Sequence, residues 1–242
     1  MATSPSIKVW EALFAALACF MLAILLYTTI TDGSPFRLEL LTPWLSATLV
    51  DFFVNVVAIA AWVVCKESSW LSTCFWVILL VCFGSISTCA YILKLLFNIS
   101  GQDSSQYPLH LLLLRKDGER NFSFWSVVLG RVVFSALGII MSTIVVYTLV
   151  TDGSPFRKEL LTPWMAATLI DFYINVFAIS VLVFHKESTW IGAIFWICLL
   201  IVLGSIATCA YIVIQLFKRS CPGTAYHVLQ DTHLKQDKDS TQ

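Results

Sequence analysis

Apolar residues fall into six blocks along the chain, at 9–30, 43–65, 70–97, 124–150, 163–184 and 190–217, each closed by a short polar stretch. A helix rises 1.5 Å per residue, so about 20 residues cross a hydrocarbon core of about 30 Å, and each block is long enough. Backbone groups in lipid must be satisfied within their own segment, which makes each crossing a helix. The pattern predicts an all-α integral membrane protein with six transmembrane helices. The first block exceeds the 7 to 15 apolar residues of a signal peptide, and the second half of the chain contains its counterpart, so it is read as a span.

Polar punctuation between the blocks repeats. "TDGSPFR" stands at 31–37 and again at 151–157, and a slide of 120 residues makes more than half of positions 31–96 identical to 151–216. The chain divides accordingly into a first three-helix repeat (1–97), a linker (98–123), a second three-helix repeat (124–219) and a polar tail (220–242). Three crossings per repeat is an odd number, which starts the second copy on the opposite face and predicts inverted topology. Asp32 and Asp152 are then expected on opposite sides. The apolar stretch at 109–114 is too short to span and reads as interfacial, ended by charged residues.

Turn chemistry fixes the connections. Asp32 and Gly33 turn the chain, Ser34 and Pro35 offer an N-cap followed by proline, and Thr42–Pro43 with Thr162–Pro163 repeat that start signal for spans two and five. Trp44 and Trp164 are expected in an aromatic belt. Arg37 with Glu39, and Arg157 with Glu159, read as charges that neutralise each other at the interface. "KESSW" and "KESTW" are so short that spans two and three, like five and six, must form tight antiparallel hairpins.

Two carboxyls stand out inside the apolar blocks. Asp51 and Asp171 lie eight residues past the helix-starting prolines, about 12 Å along, where a charge costs about 2.5–3.5 kcal/mol on insertion scales. Thr48 and Asn55, like Thr168 and Asn175, share their helical face. The short hairpin turns set Asp51 opposite Gly84 and Ser85, with Thr88 near, and Asp171 opposite Gly204 and Ser205, with Thr208 near. Each Asp is therefore expected to bond within its own hairpin. One reading makes this polar cluster a coupling site for a proton or cation; the other makes it interhelical glue.

Composition excludes several classes. With 58% hydrophobic residues, 12% charged and zero net charge, the chain is no nucleic-acid binder. The eight cysteines and four histidines show no metal-like spacing, no nucleotide or nucleophile motif is present, and neither cofactor, metal nor enzymatic activity is expected. On six spans the basic residues divide almost evenly between the two sides and leave the orientation open. The partners expected are a lipid bilayer and a small ion or solute.

The segments "DGSPFRKELLTPWMAATLIDFYINV", "KESTW" and "GSIATCAYI" resemble a plant family of integral membrane proteins known only as a domain of unknown function. Each half is also faintly similar to small three-helix bacterial membrane proteins, which fits a duplicated ancestor. The resemblance implies a plant membrane protein and assigns no activity. The function expected is a small proton- or cation-coupled transporter or channel, with a non-transporting scaffold of an endomembrane as the alternative.

Overall fold

A computed structural model describes residues 5–35, 37–100 and 124–218. The interfacial stretch at 109–114 and the tail at 220–242 lie outside the described residues. Eight α-helices make up the described chain: α1 (Pro5–Asp32), α2 (Pro43–Lys66), α3 (Trp70–Phe83), α4 (Ser85–Ser100), α5 (Phe124–Asp152), α6 (Pro163–Lys186), α7 (Trp190–Leu203) and α8 (Ser205–Lys218). Thr42 and Thr162 cap α2 and α6 as expected: each hydroxyl accepts from the backbone N–H three residues on, and proline occupies the first turn. Single 3₁₀ turns, Leu38–Leu40 and Lys158–Leu160, precede those caps.

Among the described residues, only α1, α2, α5 and α6 are long and apolar enough to cross a membrane. The expected six spans are not confirmed, because the third apolar block of each repeat breaks in the middle. Gly84 (φ +53, ψ −125) and Gly204 (φ +57, ψ −128) take a conformation essentially restricted to glycine, and the chain doubles back on itself there. The reversal can be measured. Lys94 Nζ lies 2.7 Å from Glu67 Oε1, whereas an unbroken helix would separate those residues by about 40 Å. Ser87 Oγ donates to the Leu79 carbonyl at 2.7 Å, and the Trp76 and Tyr91 rings meet at 5.1 Å. The second repeat does the same, with Gln215 Nε2 2.8 Å from Glu187 Oε1 and the Trp196 and Tyr211 rings 5.0 Å apart. At 14 residues, α3 reaches only about 21 Å inward.

Each repeat holds two helices long enough to cross a membrane, an even number, and the expected inversion of the repeats is not confirmed. α2 and α6 lie side by side as a parallel pair. Phe52, Val56, Ile59 and Val63 share a core with Phe172, Val176, Ile179 and Val183, and Leu45 and Leu49 pack near Met165 and Leu169. The spacing of 4, 3, 4, 3 and 4 along each helix is that of a coiled-coil seam, in which equivalent residues meet only if the helices run the same way. Trp44 Nε1 donates to the Gly153 carbonyl at 3.2 Å. Both "TDGSPFR" connections therefore occupy one end of the bundle, called here the loop end. The turns after Lys66 and Lys186 occupy the other. Trp44 and Trp164 are buried rather than placed in a belt.

The repeats are interleaved. α1 packs on α4 of its own repeat and on α6 of the other, through Phe14 and Met21 against Cys89, Ile92, Ile174 and Ala178. α5 crosses α2 through Phe134, Val54 and Ala58. Gly130 and Gly138 let α5 approach α8 closely: an added Cβ would meet Leu216 at 3.1 Å and Cys209 at 3.3 Å. Arg131 donates to the Leu216 carbonyl at 2.8 Å and lies over Phe217, holding the start of α5 to the end of α8.

Candidate functional site

Interleaving decides where the polar residues go. α3 stays against its own α2, as the hairpin register predicts: the Phe52 ring reaches within 2.7 Å of the Cβ position on Gly84. α4, however, packs against α6 of the other repeat. The expected bond from Asp51 to Ser85 or Thr88 is corrected accordingly. Asp171 Oδ1 accepts from the Ser85 N–H at 2.8 Å, and Asp51 Oδ1 accepts from the Ser205 N–H at 2.8 Å. One turn further, Asn175 Oδ1 accepts from Thr88 Oγ1 at 2.7 Å and Asn55 Oδ1 from Thr208 Oγ1 at 2.8 Å. The bonds of Asp171 and Asn175 have their equivalents in those of Asp51 and Asn55 under exchange of the repeats, the signature of a two-fold contact.

Each carboxyl thus caps a broken helix. The first N–H groups of α4 and α8 have no partner within their own helix, and they carry the positive end of its dipole. Asp171 and Asp51 satisfy them from the opposite repeat. The glycines are required twice over at this place, by their positive φ and by contact, because an added Cβ would stand 2.5 Å from Asp171 Oδ2 at Gly84 and from Asp51 Oδ2 at Gly204. Both aspartates are partly accessible, whereas Asn55, Ser85, Thr88, Asn175, Ser205 and Thr208 are buried. The amide nitrogens of Asn55 and Asn175 are buried without a protein partner. Thr48 and Thr168 stay outside this network and bond back to the carbonyls of Trp44 and Trp164.

At the loop end the arginine pairs with the aspartate and not with the glutamate. Arg37 lies 2.8 Å from Asp32 and Arg157 2.8 Å from Asp152, and each guanidinium also donates to carbonyls of the same loop. Asp32 and Arg37 are a loop clamp, as are Asp152 and Arg157; Glu39 and Glu159 are exposed and stand apart from it.

A family model described as a protein of unknown function (DUF1475) matches residues 1–236. The chain belongs to the DUF1475 family. No curated protein and no solved structure matches it. DUF1475 membership carries no activity, so the arrangement must speak through its own chemistry.

Sequence reasoning missed the crossed partners of the two aspartates and missed Lys94 altogether. A signal for the first was present, since the seam 45-49-52-56-59-63 is a heptad pattern that calls for a parallel neighbour. Glu67, at the end of α2, carries a further consequence of the fold-back. Burial works to raise its pKa, but the hydrogen bonds from Lys94 and Ser72 and the Lys94 charge outweigh it and hold the carboxyl below its ordinary 4.5.

Proposed function

We propose that this chain crosses the membrane four times, as α1, α2, α5 and α6, and inserts α3–α4 and α7–α8 as re-entrant hairpins from a common side. In this reading it acts as a small proton- or cation-coupled transporter or channel, with Asp51 and Asp171 as the coupling carboxyls, and it is not an enzyme. One observation carries the reading: a carboxyl from each repeat holds the N-terminus of a discontinuous helix of the other. Broken helices whose N-termini face polar groups near the midplane are a recurrent way of building ion and solute sites in transporters. A carboxyl that exchanges a proton there alters the charge that anchors a hairpin tip, which couples occupancy to position.

Orientation follows from the same topology. Among the described residues, Arg37, Arg157 and Lys158 belong to the loop end, and Lys8, Lys66, Lys94, Arg131, Lys186 and Lys218 lie toward the opposite end. The positive-inside rule then places the termini and the linker in the cytoplasm. The resemblance to a plant family adds a plant source to this reading, without choosing between endomembrane and plasma membrane.

The deciding experiment is reconstitution into liposomes with an interior pH dye and an imposed potential. Wild-type protein should dissipate an imposed pH gradient, and the doubly substituted Asp51→Asn, Asp171→Asn protein, still folded, should not. Equal and negligible leak from both would favour the second reading, a non-transporting scaffold. That reading has its own support in the tight contact between each carboxyl and the opposing glycine, which leaves no room for a solute between them.

A further inference from the structure

In the first repeat the Lys94 ammonium is held in an arrangement that serves as a template for the second. Lys94 Nζ stands 5.3 Å from the centre of the Trp76 ring, 5.5 Å from that of Tyr91 and 2.7 Å from Glu67 Oε1. The two rings meet edge to face at 5.1 Å and 68°. A slide of 120 residues gives Trp196, Tyr211 and Glu187, with rings at 5.0 Å and 70°. The two aromatic walls and the carboxylate are all conserved between the repeats. The cation is not: Ile214, 40% exposed, stands where Lys94 would be. Gln215 donates an amide N–H to Glu187 Oε1 at 2.8 Å, which satisfies one lone pair and leaves the negative charge. Among the described residues the cation–aromatic contacts are those of Lys94 and Arg131, and neither involves Trp196 or Tyr211.

We propose that Trp196, Tyr211 and Glu187 form a binding site for an external alkylammonium group, either a free primary amine or the amine headgroup of a lipid. The aromatic faces attract the cation through their quadrupoles, and Glu187 adds a charge-assisted hydrogen bond that requires an N–H. A primary amine is therefore preferred to a quaternary one. The site lies beside the α6–α7 turn, opposite the loop end, where water and lipid headgroups both have access in the four-span arrangement, and Ile214 offers an apolar surface to the alkyl part. The inference does not depend on transport.

The test uses the full chain purified in detergent. Ethylammonium chloride should raise the unfolding temperature saturably beyond sodium chloride at equal ionic strength, and tetramethylammonium should do so more weakly. Glu187→Gln should weaken ethylammonium binding about tenfold or more, since a charged hydrogen-bond acceptor is replaced by a neutral one. The paired changes Ile214→Lys and Gln215→Leu rebuild the first repeat's arrangement at an exposed position, so the protein should fold and lose the response. Native mass spectrometry with phosphatidylethanolamine and phosphatidylcholine of identical chains separates the sources. Selective retention of the ethanolamine lipid, abolished in the rebuilt variant, identifies a headgroup site, and a response to soluble amine alone identifies a free-amine site. The proposal is overturned if neither probe binds selectively, or if the rebuilt variant responds as the wild type does.

Discussion

At the scale of single residues, the positions with the sharpest consequences are Gly84 and Gly204. Gly84→Ala forces a side chain into a backbone region that costs about 1–3 kcal/mol and drives a methyl into the Asp171 carboxyl, so its melting temperature in detergent should fall more than that of any surface alanine. Asp51→Leu removes the acceptor and leaves the Ser205 N–H unpaired in the bundle, a loss of about 1–3 kcal/mol. Asp51→Asn retains an acceptor oxygen and should lose less than half as much in the same melt. Glu67 gives a pH signature. Its carboxyl is held below the ordinary 4.5 when folded, so its contribution is complete above that value and is lost as the pH falls through the lower, folded value. Lys94→Met should flatten this acid limb of the stability curve; an unchanged limb would remove Glu67 as its source.

At the scale of elements, the heptad seam between α2 and α6 makes a chemical prediction. In a cysteine-free background, Val63→Cys with Val183→Cys should cross-link on oxidation, because equivalent positions meet in a parallel pair, whereas Val63→Cys with Met165→Cys should not. The reverse result would restore an antiparallel arrangement. Much of this level was legible in the sequence. The long helices, the Thr–Pro starts and the packing of α3 back on its own α2 follow from local rules, since capping and turn length act over a few residues. The fold-back did not follow, because a glycine inside an apolar block is equally compatible with a continuous helix, and only its φ of +53 distinguishes the two. The crossed pairing of Asp51 with Ser205 was hidden for a different reason: the heptad spacing of α2 calls for a parallel neighbour, but it does not say which helix α8 packs against.

At the scale of the whole molecule, the parallel α2–α6 pair and the bond from Trp44 to Gly153 place both "TDGSPFR" connections together. Cysteines introduced at Ser34 and Ser154 should label from one side of sealed vesicles and a cysteine at Ser188 only from the other. Opposite accessibility of Ser34 and Ser154 would return the six-span topology. The reciprocal caps also set a schedule for synthesis. When the ribosome has finished the first repeat, the tip of α3–α4 is already made but the aspartate that anchors it is still some 70 residues away, so that hairpin must wait beside the insertion machinery, open to any substitute acceptor. Completion of the first half is thus an event of the second half's translation, and a chain truncated before Asp171 should be recognised as unfinished by quality control even though every residue of its first repeat is present.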